Sequence, residues 1–282
     1  MGTYAITGSA SGMGRETAQR LRDDGHSVIG VDLKEADVVA DLSTPHGRRE
    51  AAEGVLAASS GKLDGAVLAA GLGPGPGRDR PRQIAQVNYF GVVELLSAWR
   101  PALVAAQNAK VVVVASNSST TVPAVPRRAV RALLAQDAAK AVRSVKLFGT
   151  AASVMMYAAS KIAVSHWVRR HAVLPEWAGS GVRLNALAPG AIMTPLLQEQ
   201  LSNPREAKAV RSFPVPVGGF GDVAHMADWM CFMLSDAADF LCGSVVFVDG
   251  GTDAYFRADD WPKPVPTYRM LGYVRRYSRR GL

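Results

Sequence analysis

Cysteine is scarce in this chain. Cys231 and Cys242 are the only two in 282 residues, too few for a disulfide framework or a cysteine-based zinc cluster. Charged residues make up only 20% against 48% hydrophobic, a balance that excludes a mainly disordered chain. No uninterrupted apolar run approaches the ~18 residues of a membrane-spanning helix, so no span is expected. Residues 1–10 lack the basic n-region and cleavable apolar stretch of a signal peptide, and a cytoplasmic location is expected. Ile6 stands where N-myristoylation requires Ser or Thr. Metal ligation is not expected either. His166 and His171 are five apart rather than at the i, i+4 spacing of a helical metal pair. A G-x-S-x-G elbow and a P-loop lysine are both missing.

What the chain does have is a formal charge of +8, unevenly placed. Residues 120–152 carry +5 and residues 261–282 carry +6, which leaves −3 for the remainder. The body is mildly acidic, so a uniformly basic nucleic-acid-binding surface is excluded and no nucleic-acid partner is expected.

Short apolar strands alternate with helical stretches. Strands are expected at Thr3 to Thr7, His26 to Val31, Val38 to Ala40, Gly65 to Ala70, Val111 to Val114, Val182 to Leu187 and Ser244 to Val248. Helices are expected from Arg15 to Asp24, over 46–59, from Ile84 to Leu103, from Val154 to Leu174 and from Val223 to Leu234. This alternation predicts right-handed βαβ units and a doubly wound parallel sheet of Rossmann type, three layers α/β/α. With no internal repeat and no second core-sized segment, one domain over 1–260 with a basic tail at 261–282 is expected.

The first strand runs into Gly8, Ser9, Ala10, Ser11, Gly12, Met13 and Gly14, and a helix follows. Glycines there let the backbone approach a pyrophosphate, whose charge the helix N-terminus favours. Asp32 closes the next strand, 18 residues past Gly14. A carboxylate in that place accepts hydrogen bonds from the adenosine ribose hydroxyls and repels a 2′-phosphate. Neither Ser11 nor Leu33 is basic, although Lys34 is close, so NAD is expected over NADP. An ordinary tight turn and a solvated strand-end acid are the plainer alternatives.

The glycine spacing resembles the T-G-x-x-x-G-x-G pattern of the short-chain dehydrogenase/reductase family, and further positions resemble it in order over residues 3–252. Asp41-Leu42 matches the adenine contact. Ala69-Ala70-Gly71 matches the N-A-G motif with Ala in place of Asn. Asn88 matches the helix-embedded Asn, and Pro189-Gly190, Ile192, Thr194 and Asp249-Gly250-Gly251 match the later motifs. The resemblance implies a cofactor site of Gly8, Ser11, Gly12, Met13, Gly14, Asp32, Leu33, Asp41, Leu42, Ala70, Gly71, Tyr157, Lys161, Pro189, Gly190, Ile192 and Thr194.

Tyr157 and Lys161 share one helical face at i, i+4. Free tyrosine, at a pKa of about 10, is a poor base at neutral pH, and a nearby cation favours its ionised form. By resemblance Tyr157 is the acid/base and Lys161 its electrostatic partner and ribose ligand. Ser116 orients the substrate oxygen, with Ser118 as the alternative after the same strand. Asn88 acts through a helix distortion and a bound water that relays a proton away from Lys161. Thr194 and the backbone near Ile192 hold the carboxamide. The implied activity is hydride transfer between NAD(H) and a secondary alcohol or ketone. The alternative is a non-catalytic dinucleotide-binding or anionic-surface module that uses the basic tail.

Ser116 and Tyr157 are 41 residues apart, where most of the family has about a dozen between them. The extra piece, about 120–152, places Arg and Lys at helical spacing and is expected to form one or two helices beside the substrate mouth. It resembles the bacterial 3α-hydroxysteroid dehydrogenase/carbonyl reductase branch, which implies a small hydrophobic alcohol or ketone, a hydroxysteroid among the candidates, as substrate. Residues 194–217, broken by Pro195, Pro204, Pro214 and Pro216, are expected to fold over it with Leu196, Leu197, Leu201 and Phe213. An insertion directly before the Tyr157 helix obstructs a usual partner surface of the family, so a homodimer through the last strand and its neighbouring helix is expected, a tetramer being the alternative. The tail reads first as a flexible solubilising extension, then as a cover on a neighbour's pocket, then as an anionic-surface binder.

Overall fold

The structure is a computed structural model that describes residues 1–202, 204–261 and 264–278. Strands and helices alternate as β1 (Thr3–Thr7), α1 (Gly12–Asp23), β2 (Ser27–Asp32), β3 (Val38–Val39), α2 (Pro45–Ala58), β4 (Gly65–Leu68) and α3 (Arg80–Ala85). A π-helical turn, Gln86–Phe90, leads into α4 (Gly91–Ala105) and β5 (Lys110–Val114). Then come α5 (Ser118–Thr121), α6 (Arg127–Leu134), α7 (Ala138–Val145), α8 (Ala152–His171) and β6 (Arg183–Pro189). The chain continues through α9 (Pro195–Ser202), α10 (Pro204–Arg211), α11 (Val223–Leu234), β7 (Val245–Val248), α12 (Thr252–Arg257) and α13 (Met270–Ser278).

The seven strands form one parallel sheet in the order β3-β2-β1-β4-β5-β6-β7. Alternate side chains serve opposite faces. Ile6, Val67 and Val112 pack with Ala18 and Leu21 of α1 and Met226 and Met230 of α11. Ala5, Val111 and Val113 pack with Leu95, Leu96 and Trp99 of α4 and Val164 and Trp167 of α8. The order reverses between β1 and β4. Their following helices leave toward opposite faces, which opens a crevice beyond the strand ends. At the other end of the sheet, buried Lys110 bonds Asp239 at 2.8 Å and Asp236 at 3.1 Å.

The expected single helix from Ile84 to Leu103 is interrupted. In the π turn the Gly91 N–H donates to Gln86 O, five residues back. The helix α1 begins at Gly12 rather than Arg15, because Gly12 at φ +52° turns the loop directly into it. The insertion forms α5, α6, α7 and a 3-10 run, Lys146–Ala151. Ala129, Val130 and Leu133 of α6 and Ala141 and Val145 of α7 join the α4/α8 core, while Arg127, Arg128, Arg131, Lys140 and Arg143 face out. Residues 138–171 are long and apolar enough to cross a membrane by length and composition. That run is kinked at Gly149 (φ 54°, ψ −122°), and its Met156, Val164 and Val168 are buried in the core, the position of a core helix.

Candidate active site

The crevice at the sheet reversal holds a cleft of about 440 Å³. Gly8, Ser11, Gly12, Met13, Gly14, Asp32, Leu33, Asp41, Leu42, Ala70, Gly71 and Thr194 line it, so most of the expected dinucleotide residues converge there. The loop geometry depends on its glycines. Gly8 has φ +73°, and a Cβ on it would lie 2.8 Å from Ala70 N. A Cβ on Gly14 would lie 2.2 Å from Gly8 O, so the loop sits directly on the first turn of α1. That turn carries no acidic residue, and its free N–H groups and positive dipole end suit a pyrophosphate. A Cβ on Gly12 would point into the space before Thr194, 3.6 Å away. The residues present therefore fit a dinucleotide. Asp32 is fixed on both oxygens, which accept from Ala10 N at 2.9 Å and Leu33 N at 2.7 Å. Each oxygen retains a lone pair for a diol.

A second cavity of about 410 Å³ adjoins the first and shares Met13, Ala69, Gly71, Leu72 and Thr194 with it. Ser116, Tyr157, Lys161, Pro189, Gly190 and Ile192 line this second space. Ser116 follows β5 and lines the same cavity as Tyr157, whose phenol its hydroxyl acts to lower. The Ser118 N–H donates to Ser116 Oγ at 3.1 Å, and the Ser118 hydroxyl is buried without a partner among the described residues. Both candidate serines line the cavity with Tyr157, and Ser116 is the one whose hydroxyl acts on the phenol. Lys161 Nζ donates to Val114 O at 2.6 Å and lies 5.9 Å from the Tyr157 ring centre.

Electrostatics at this pair follow burial first. Burial raises the Tyr157 phenol above its ordinary value, with the Ser116 hydrogen bond opposing it. Burial lowers Lys161 to about 8. Asn88 lines neither cavity. It is buried in the π turn, where Oδ1 accepts from Leu72 N at 2.8 Å and Nδ2 donates to Leu72 O at 3.0 Å. Its amide thereby pairs both backbone groups of Leu72, four residues past the end of β4. Asn88 Oδ1 and Lys161 Nζ flank Gly71, where a Cβ would lie 3.6 Å and 3.9 Å from them.

Val122, Val154, Ile192, Leu197, Val210 and Phe213 give the second cavity an apolar wall. Residues 194–217 supply Leu197 and Phe213, as expected, and also Val210, from two short helices and their exit, while Leu201 does not line the cavity. The Leu196 and Pro204 side chains lie outside the described residues, as do Lys263, Arg276, Tyr277, Arg279 and Arg280 of the tail. Between 120 and 152 only Val122 lines the cavity, so the insertion helices cover α8 and α3 rather than the mouth. Their cations left no sign of this in sequence, because the small apolar residues facing α8 decide where they pack. Arg80 and Gln83 also line the cofactor cleft. Sequence reading missed both, since they follow a Gly/Pro-rich loop of unspecified course. The only signal was a run of basic residues, Arg78, Arg80 and Arg82, at a helix start.

Comparison with known proteins agrees with this geometry. A family model described as short chain dehydrogenase matches residues 3–129, and one described as enoyl-(acyl carrier protein) reductase matches residues 124–253. The chain is 39% identical over 257 residues to the 3-alpha-hydroxysteroid dehydrogenase/carbonyl reductase of Comamonas testosteroni, covering 91% of this chain and 98% of that protein. It is 30% identical to the cis-4-hydroxycyclohexanecarboxylate dehydrogenase of Sinomonas cyclohexanicum, covering 88% and 95%. The 3-alpha-hydroxysteroid dehydrogenase of Pseudomonas sp. B-0831, solved in complex with NADH, superposes with a TM-score of 0.85 at 43% identity, covering 91% and 99%. From its motifs, its sheet order and these matches, the chain belongs to the short-chain dehydrogenase/reductase family of oxidoreductases.

Proposed function

We propose that this enzyme transfers a hydride between NAD(H) and a secondary alcohol or ketone of hydrophobic character, a hydroxysteroid being the leading candidate. The observation that carries this reading is the meeting of Ser116, Tyr157 and Lys161 in an apolar cavity that opens onto the dinucleotide cleft. The relatives named for hydroxysteroid and cyclic-alcohol dehydrogenation support the substrate class. NAD is favoured over NADP because the fixed Asp32 carboxylate faces the cleft.

The bound dinucleotide supplies the hydride acceptor or donor. Gly12, Met13 and Gly14 hold its pyrophosphate, Asp32 its adenosine ribose, and Asp41, Leu42 and Leu33 its adenine side. Thr194, Ile192 and the Pro189-Gly190 backbone position the carboxamide. Ser116 donates to the substrate oxygen, and Tyr157 takes or gives the proton at that oxygen. Burial raises Tyr157 in the site. A cation beside it lowers the phenol, and Lys161, held by Val114 O, is the chain's own group for that. Lys161 also bonds the nicotinamide ribose, and the π turn at Asn88 orders a water that carries the proton away. Tyr157→Phe is the test: turnover of a hydroxysteroid or ketone panel falls at least about a thousandfold while NAD binding persists. Unchanged turnover refutes the assignment.

Residues 1–260 form the catalytic unit in this proposal, and 261–282 are a dispensable basic tail. Truncation after Asp260 keeps most turnover. A homodimer forms through β7, a sheet edge unpaired among the described residues, and α11, where Trp229 and Phe232 are 40% and 48% exposed. Coverage of α8 by α6 and α7 disfavours a tetramer, and light scattering decides between them. A cytoplasmic location belongs to the same proposal, and cell fractionation tests it.

A further inference from the structure

Arg48 lies outside both cavities, yet it is 4% exposed and bonded through all three guanidinium nitrogens. Its Nε and Nη2 bond Glu94 Oε2 and Oε1 at 2.6 and 3.1 Å. Its Nη1 donates to Leu42 O at 3.0 Å and to Gln86 Oε1 at 2.9 Å. Its guanidinium carbon lies 5.9 Å from the Phe90 ring centre. One planar cation therefore ties together three segments. Leu42 lines the cofactor cleft, Gln86 opens the π turn that carries Asn88, and Glu94 lies in the first turn of α4.

A surface salt bridge does not need this arrangement. Glu94 is 42% exposed, so water could satisfy it. The two neutral acceptors are what require a rigid fork in this place, because each is a group whose position matters to the site. The carbonyl of Gln86 accepts the π bond from Gly91 while its side chain accepts from Arg48, so the start of the distortion is held from both sides. A Cβ on Gly91 would lie 3.5 Å from Leu42 Cβ, so the cleft wall and the π turn are also in direct packing.

We infer that Arg48 is a positioning residue that couples the adenine side of the cofactor cleft to the π turn at Asn88. The inference rests on the proposed relay role of Asn88 for its effect on turnover, and on the cleft geometry alone for its effect on binding. Displacement of the Leu42 carbonyl weakens dinucleotide binding. Relaxation of Gln86 lets the π turn revert toward a regular helix, which rotates Asn88 off Leu72 and disturbs the water it orders.

Four variants test this, with thermal midpoint, NAD Kd, and alcohol kcat and KM at saturating NAD measured for each. Arg48→Met is expected to weaken NAD binding and lower kcat by about tenfold each, with alcohol KM within about twofold of wild type. Gln86→Leu severs only the arm to the π turn, so kcat falls while NAD Kd holds; it carries the test if Arg48→Met does not fold. Glu94→Gln keeps both neutral bonds of Arg48, so both parameters stay near wild type even if the midpoint drops. Asn88→Ala lowers kcat if the relay reading is correct. Glu94→Gln reproducing the Arg48→Met losses, or Arg48→Met lowering only the midpoint, would overturn the coupling. A wild-type kcat in Asn88→Ala would instead overturn the relay, and NAD Kd would then decide for or against Arg48 alone.

Discussion

Replacing Gly14 with alanine sets two known effects against each other. In a helix, Gly to Ala is ordinarily stabilising by roughly 0.5–1 kcal/mol, because glycine loses more backbone freedom on folding. The cofactor loop reverses that sign. The new Cβ would lie 2.2 Å from Gly8 O and 2.8 Å from Gly8 C, so an ordinary contact at 3.4 Å needs about 1.2 Å of retreat. Gly8 has little room to give it. Its N–H bonds Val31 O at 2.9 Å, and the Ala70 backbone lies so near on the other side that even a Cβ on Gly8 would come within 2.8 Å of Ala70 N. Overpacking of this kind costs about 1–3 kcal/mol, which leaves a net loss near 2 kcal/mol at the upper end. In a domain of this size that lowers the thermal midpoint by roughly 4–8 °C. The loop that yields is the one that meets the pyrophosphate, so NAD Kd rises about tenfold or more. Gly25→Ala is the control. Gly25 has φ +81° with nothing within 4 Å of a Cβ, at the far end of α1, so strain lowers the midpoint and NAD Kd is unchanged. Differential scanning calorimetry with NAD titration reads both. A Gly14→Ala protein that is more stable than wild type and binds NAD normally would refute the packing argument.

Three further outcomes follow from named groups. Asp32→Asn keeps an acceptor oxygen for one of the two loop N–H groups and removes the charge, so the ratio of NADP to NAD kcat/KM rises about tenfold; an unchanged ratio means that Asp32 does not read the ribose. Lys161 has a folded value of about 8 against an ordinary 10.5. Unfolding therefore takes up a proton between those values, and the stability of wild type relative to Lys161→Met climbs from pH 8 to pH 10.5. Denaturant melts at pH 7 and pH 10 check the sign, and a flat or falling difference contradicts it. Lys110→Met leaves Asp236 and Asp239, 93% and 50% exposed, free to hydrate. Its stability stays within about 1 kcal/mol of wild type, and a loss of several kcal/mol would show that the pair is energetically essential.

The parts of this fold that were legible in sequence are those in which one residue type has one local job. Val111 to Val114 read as a doubly covered strand because β-branched residues on both faces leave no solvent side, and β5 is buried throughout. Gly8, Gly12 and Gly14 read as a phosphate loop because positive φ and close backbone approach are demands that glycine alone meets without strain, and all three line the cleft. The π turn was foreseen at Asn88 only through family resemblance. Periodicity from Ile84 to Leu103 continues smoothly across it, since one extra residue shifts the apolar stripe by less than the width of the stripe. The course of the insertion was not legible for a related reason. Its cations are spaced by helix geometry, but the surface they leave uncovered is chosen by Ala129, Val130, Leu133 and Val145 fitting against α8, a match between two faces that neither sequence segment records by itself. Arg48 is the same case in polar form. In sequence it is one of two adjacent arginines near the start of α2. Only the folding of Leu42, Gln86 and Glu94 around it, from positions 6, 38 and 46 residues away, turns it into a buried fork.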